Sequence, residues 1–315
     1  MLYFGQIFKN NMFIEQGIKQ GNDFWRYMVG SFIIATAALF GQIPFSVGVL
    51  IKSVSLGGLP TSEKQIMGLF EPNLLLFLIL LSFVFAFAGI YFVVTKFHNQ
   101  TFLSVSTSRK SIDWRRILFS FCLWAIITIA LTLVSFYLNP KDFQINFKPV
   151  PFAILFVIAT LMLPIQTSVE EYLFRGYLMQ GFANLSKNKL FPLVMTSVLF
   201  GTMHIFNPEI SKLGYIILIY YIGTGFFLGI LTLMDDGMEL SLGFHAANNL
   251  IGALLVTNDW GALQTNSIFK DVSQPNVGAE ILIPLLILYP ILLIIFSQKY
   301  GWTNWKEKLM GKIKY

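Results

Sequence analysis

Apolar residues fall along this chain in long, nearly unbroken blocks, with short polar stretches between them. A helix needs about 20 apolar residues to cross the roughly 30 Å hydrocarbon core of a bilayer. Eight blocks suit that task, over about 27–51, 73–95, 117–138, 150–168, 190–206, 214–234, 240–256 and 279–297. The pattern predicts an all-α, polytopic transmembrane helix bundle of about eight spans. Pro44 should kink the first span. Pro151 sits in the first turn of the fourth, where proline is favoured, and that span continues into the residues that follow 168. The short connection over 207–213 makes the fifth and sixth spans antiparallel neighbours. The longest connections, about 52–72, 96–116 and 257–278, are too short to hold a soluble domain. Ahead of the first span, Leu2, Phe4, Ile7, Phe8, Met12 and Phe13 can form one apolar face of an interfacial helix. The first 26 residues lack the basic, apolar and small-residue sequence of a cleavable signal. In the sixth span Gly225-x-x-x-Gly229, with Gly223 nearby, reads as a place where helix backbones approach closely.

Composition strengthens the membrane reading. The chain is 55% hydrophobic and 12% charged, against about 25% charged in ordinary soluble domains, and its 32 Phe suit lipid-facing helices. The formal net charge of +6 is carried by loops. Lys96, Arg109, Lys110, Arg115 and Arg116 follow the second span, Lys187 and Lys189 follow the fourth, and Lys299, Lys306, Lys308, Lys312 and Lys314 follow the eighth. An eight-span path puts all of these on one side, leaving Lys141, Lys148 and Lys270 on the other. The positive-inside rule then places both termini in the cytoplasm. No soluble basic patch suggests a nucleic-acid partner. The single cysteine, Cys122, has no internal disulfide partner. Residue usage and the lack of targeting segments fit a prokaryotic inner membrane.

Candidate chemistry is confined to the second half. The first three spans hold almost no polar residues of interest, whereas spans four to seven hold Glu170, Glu171, Arg175, His204, His245, Asn248 and Asn249. The chain divides accordingly into accessory helices over 1–149, a catalytic core over 150–256, and a last helix with a basic tail over 257–315. Ionisable groups in a membrane cost about 2.5–3.5 kcal/mol each on insertion scales and need partners. Arg175 lies four residues after Glu171, on the same helical face, so the two can pair. Glu170 is turned about 100° away. One carboxylate clamped and one less directly paired can take different protonation states and roles, and Glu170 is the better general base. A Glu–Arg pair alone would also suit a packing ion pair. His204, one turn after Phe200, and His245, one turn before Asn249, turn it into a convergent site. His98 reads as a solvated interfacial residue, and the acidic stretch Asp235-Asp236-Gly237-Met238-Glu239 as a solvated turn.

Such a set supports two chemistries. A glutamate and a histidine can activate a water while a second histidine and an amide face the developing oxyanion. Alternatively Glu170, His204 and His245 can ligate a single divalent metal such as Zn²⁺ and leave a position for water. Either hydrolyses an amide bond. No activated serine or cysteine and no His-Glu-x-x-His helix is present. One difficulty is depth. Glu170 falls near the cytoplasmic end of the fourth span, yet His204 lies about 21 Å along an ideal helix that starts at 190. Either the fourth helix extends past 175 inside the membrane or the fifth begins later.

Glu-Glu-x-x-x-Arg at 170–175, Phe-x-x-x-His at 200–204 and His-x-x-x-Asn at 245–249 resemble, in order, the three motifs of the CPBP (Abi) family of type II CAAX prenyl proteases and bacteriocin-processing enzymes. The resemblance covers about 150–256. It implies an all-helical membrane protease in which Glu170 activates water with His204, His245 and Asn249 stabilise the oxyanion, and Glu171 and Arg175 orient the site. The family has been labelled metalloprotease, and a metal-free glutamate mechanism has also been argued for it. Eukaryotic members remove the last three residues of prenylated CAAX proteins. In a prokaryotic membrane a peptide, bacteriocin leader or membrane protein is the more expected substrate. Competing readings are a non-catalytic immunity or scaffold protein with a vestigial site, and a proton-coupled transporter. The second would call for paired, inverted halves, and these halves differ strongly in polar content.

Overall fold

The computed structural model describes residues 12–18, 21–274 and 278–313. Helical segments stand at all eight predicted positions. They comprise α1 (Phe24–Leu56), α2 (Pro72–Phe92), α3 (Trp114–Leu138), α4 (Pro149–Glu171) with its extension α5 (Met179–Ser186), α6 (Leu190–Thr202), α7 (Ile217–Asp235), α8 (Glu239–Leu255), and α9 (Gly278–Ile283) leading into α10 (Tyr289–Tyr300). A short α11 (Trp305–Met310) ends the described chain. Among the described residues six helices are long and apolar enough to cross a membrane, including Pro149–Ser186 as one 38-residue unit. The other two positions hold the shorter Leu190–Phe206 and α8, of 17 residues. The protein is an all-α integral membrane bundle of about eight spans.

Burial orders the bundle. Only 11% of the most apolar window of α1 and 17% of that of α3 is covered by protein, against 56% for α7. The outer helices therefore carry exposed Phe32, Leu39, Leu131 and Tyr137 where lipid would lie, and α7 is central. Helix α8 lies between α3 and α4, α2 packs on both α1 and α4, and α6 packs on α7. The last pair are the neighbours expected from their short connection. Glycine sets how close they come: a Cβ at Gly225 would stand 2.8 Å from the Ser197 carbonyl oxygen, and one at Gly201 would stand 2.7 Å from the Ile222 nitrogen.

The fourth span resolves the depth difficulty. It does not end near 175 but passes through a π-helical turn, Tyr172–Leu178, into α5 and stops at Ser186. Glu170 is then about 24 Å before the turn into α6, and His204 about 21 Å after it, at 1.5 Å per residue. The extension can be polar because protein, not lipid, surrounds it. Gln180 donates to the carbonyls of Phe13 and Ser104, and the Tyr177 hydroxyl meets His98 Nε2 at 2.9 Å.

Three other expectations change. His98 is not solvated: it is 5% exposed, between Asn22 and Tyr177. The acidic turn is not solvated either. Asp235 accepts from Arg109 Nη2 at 3.0 Å, from Arg116 and from Trp302 Nε1 at 3.1 Å. Glu239 accepts from Arg109 Nη1 at 3.0 Å, and Asp236 from Lys308 at 2.7 Å. Basic loops and tail thus converge on one end of the bundle, where the Lys189 backbone N–H also bonds to the Gly311 carbonyl. At the other end residues 143–145, 256–257 and 269–271, expected in connections apart from Val256 at the end of the seventh span, form a small three-stranded sheet. Of the proposed interfacial helix, residues 1–11 lie outside the described residues, and Phe13 is buried in a short 3₁₀ turn, Phe13–Gly17.

Candidate active site

Helix α4 delivers the two carboxylates. Glu171, fully buried on its last turn, uses one oxygen twice: Oε1 accepts from Arg175 Nη1 at 3.0 Å and from His245 Nδ1 at 2.7 Å. The i, i+4 spacing supplies the first contact, and α8 supplies the second. Arg175, also fully buried, lies in the π-helical turn, a distortion that recurs at functional sites. Its Nη2 donates to the Gly225 carbonyl at 3.1 Å, and its guanidinium carbon stands 4.3 Å from the Phe200 ring centre. The glycine notch that draws α6 and α7 together thus also brings a carbonyl to the arginine.

Glu170 sits differently. Its side chain is 18% exposed, it has no guanidinium partner, and its Oε2 lies 3.5 Å from His245 Nε2. Its Oε1 accepts from the Gln166 amide one turn earlier. Imidazole 245 therefore bridges the two glutamates, with Nδ1 committed to Glu171 and Nε2 turned to Glu170. The buried Glu171–Arg175 pair offsets charge within the site, which limits the desolvation cost of placing ionisable groups here.

Asn249 joins the group only through Gln166, whose Oε1 accepts from Asn249 Nδ2 at 2.9 Å. His204 is in the 3₁₀ turn that ends α6, Met203–Phe206. It stacks on Tyr221, ring centres 4.2 Å apart, and its Nδ1 bonds to the Phe200 carbonyl at 2.8 Å. The Phe200 ring stands between the two site histidines, 5.0 Å from His204 and 5.9 Å from His245. Among the described residues no hydrogen bond joins His204 to Glu170 or His245. Nor do any three His, Cys, Asp or Glu side chains among them gather as a metal-holding group. The bonds of Glu171 and Gln166 to His245 Nδ1 and Glu170 Oε1 would suit metal ligands, but His204 is not gathered with Glu170 and His245, so the three candidate ligands do not fit a metal as arranged.

Two partners escaped the sequence reading. Gln166 had a legible signal, four residues before Glu170 on the same face. Trp124 had none: it comes from α3, in the half read as chemically silent, and donates to Asn248 Oδ1 at 3.1 Å. Chemically, the arrangement offers a carboxylate with one oxygen open, an imidazole beside it held by a buried ion pair, and a second histidine at the rim.

The comparisons with known proteins bear on the same stretch. Over residues 148–251 the chain matches the family model of the type II CAAX prenyl endopeptidase, Rce1-like. It is similar to the uncharacterized protein YyaK of Bacillus subtilis (strain 168), 32% identical over 263 residues, which are 83% of this chain and 85% of that protein. No solved structure matches the chain.

Proposed function

The chain belongs to the Rce1-like family of type II CAAX prenyl endopeptidases, and on that premise we propose that it is an intramembrane endopeptidase with Glu170 as general base. The observation that carries this is the unequal treatment of the glutamates. Glu171 is sealed in with Arg175 and His245, while Glu170 keeps a partly exposed side chain and one oxygen clear of any closer partner than His245 at 3.5 Å. Water attacks the peptide carbonyl carbon as its proton passes to Glu170. The tetrahedral intermediate then collapses, and the same proton goes to the departing amine. His245 Nε2–H, with Glu171 as the counter-ion behind it, is the donor suited to the oxyanion. His204 at the rim assists in placing the water. Glu171 and Arg175 orient the imidazole. Asn249, expected from the resemblance to share the oxyanion, has its amide turned to Gln166.

The substrate in this reading is a membrane-proximal peptide or membrane protein, taken from the bilayer. The basic loops and tail that share one end of the bundle support cytoplasmic termini, in a prokaryotic inner membrane. The test is cleavage of a membrane-proximal peptide by the purified protein and by Glu170→Gln. Loss of cleavage in the correctly inserted variant is expected, and full activity would overturn the reading.

A further inference from the structure

The amides beside Glu170 have a direction. The Trp124 indole can only donate, and it donates to Asn248 Oδ1 at 3.1 Å. That orients Asn248, whose Nδ2 then donates to Asn249 Oδ1 at 3.1 Å. Asn249 Nδ2 in turn donates to Gln166 Oε1 at 2.9 Å, and Gln166 Nε2 donates to Glu170 Oε1. Reversing any one amide would set N–H against N–H at the link before it and oxygen against oxygen at the link after it, and reversing all of them would set the Asn248 amide hydrogens against the indole N–H. The chain therefore runs one way, from a donor-only group on α3, through α8, to the carboxylate on α4. At 8% exposure Gln166 is well covered, and Trp124 is 6% exposed, while Asn248 and Asn249 between them are partly exposed.

We propose that Asn249 supports Glu170 through Gln166, and that Gln166, Asn249, Asn248 and Trp124 together position the base. The proposal rests on the reading of Glu170 as the base and assigns its two oxygens. Oε1 is held by the Gln166 amide, which fixes the carboxylate plane. Oε2, facing His245, is left to take the proton from water. Gln166 is a positioning residue, and so are Asn248 and Trp124, which act only through Asn249. A chain of amides polarised toward one end strengthens its terminal bond, and it can hold the carboxylate without placing a second charge beside it.

The test is a double-mutant cycle on the full-length protein with a membrane-proximal peptide. Gln166→Met and Asn249→Ala should each lower kcat by about 10- to 100-fold, the scale of a misplaced reacting group, and leave KM nearly unchanged. The double variant should be no worse than the weaker of the two, because both break one chain. Losses that multiply would overturn the proposal, since Asn249 would then act on the reaction independently of Gln166. If Gln166→Met does not fold, Trp124→Phe replaces it in the cycle with Asn249→Ala: it keeps the aromatic packing against Phe244, and its smaller loss of kcat must vanish in the Asn249→Ala background. Glu170→Gln assayed alongside separates the two claims. If it cleaves fully, the base reading falls whatever the cycle gives; if it is inactive and the losses multiply, the positioning chain alone falls. If the unsubstituted protein cleaves no peptide offered, the same cycle is read as the Tm of the four proteins in detergent, and additive losses there overturn the chain.

Discussion

The protein buries two clusters of acidic and basic side chains, and they are built to opposite ends. At the turn between α7 and α8, Asp235 and Glu239 are each met by charged donors: Arg109 reaches both, and Arg116 and Trp302 complete Asp235. These carboxylates are tied to guanidinium groups on both sides of the turn, and their partners come from the loop after α2, the start of α3 and the chain after α10. The cluster ties three distant segments together. In the middle of the bundle Glu171 is likewise clamped by a guanidinium, with Arg175 and His245 both on its Oε1, but its neighbour Glu170 is met by a neutral amide and an imidazole at 3.5 Å. A buried carboxylate clamped by a guanidinium is a fastener. A carboxylate without that clamp, at a partly exposed spot beside an imidazole, is a reagent.

Removing Arg175 should do the most damage, because it erases the feature the two clusters share. Arg175→Ala leaves Glu171 buried with no guanidinium, and breaking a buried pair from one side costs about 3–5 kcal/mol. A large drop in Tm with loss of cleavage is expected. An unchanged Tm would mean that the guanidinium does not neutralise Glu171. Next comes Glu170→Gln, which should lower kcat by about 10²–10⁴-fold, the usual worth of a general base, with Tm nearly unchanged since an amide keeps the size and polarity of the site. Asp235→Ala should give the reverse pattern. It strands parts of Arg109 and Arg116 at a cost of about 1–3 kcal/mol, lowering Tm while the kcat of the folded protein holds. If Asp235→Ala abolishes cleavage at full stability, the fastener and the reagent are not separable in the way the geometry says.

Which parts of this could be read in the sequence follows from where partners lie. The eight helices were legible because lipid enforces long apolar blocks. The course of the fourth helix past 175 was legible only as one of two alternatives, because Arg175, Tyr177 and Gln180 look like the polar end of a span. They are tolerated because the segment around Phe13 and the loop around His98 and Ser104 replace lipid there. The Glu171–Arg175 pair and the Gln166–Glu170 contact follow from i, i+4 spacing alone. The bridge by His245 could be suspected but not aimed, since a span's pattern does not say which nitrogen meets which glutamate. The saturation of Asp235 was invisible: Arg109 and Arg116 lie more than a hundred residues earlier in the chain, and a run of acidic residues looks the same whether it meets water or arginine.

The smallest effect concerns a third buried polar site, and it tells acid effects on the fold from acid effects on the reagent. His98, just past the end of the second span, is pushed down to about 4 from an ordinary 6.5, first by burial and then by the charge of nearby Arg26. It is held neutral: Asn22 uses its amide nitrogen on the Gly17 carbonyl and the Tyr27 hydroxyl, so its Oδ1 accepts from His98 Nδ1, and Tyr177 faces Nε2. Tyr177 belongs to the same π-helical turn as Arg175. Between about pH 6.5 and about 4 the unfolded chain binds a proton at this residue that the folded chain refuses. Folding stability therefore rises with pH across that window, is fully present above it, and is lost as pH falls through it. Replacing His98 with Gln removes the titrating group, so Tm should fall less steeply from pH 6.5 to 4 than in the unsubstituted protein. Equal slopes would mean that His98 gains its proton in the folded state as readily as in the unfolded one. A shallower slope in Tm with an unmoved acid limb in kcat would separate the pH response of the fold from that of cleavage.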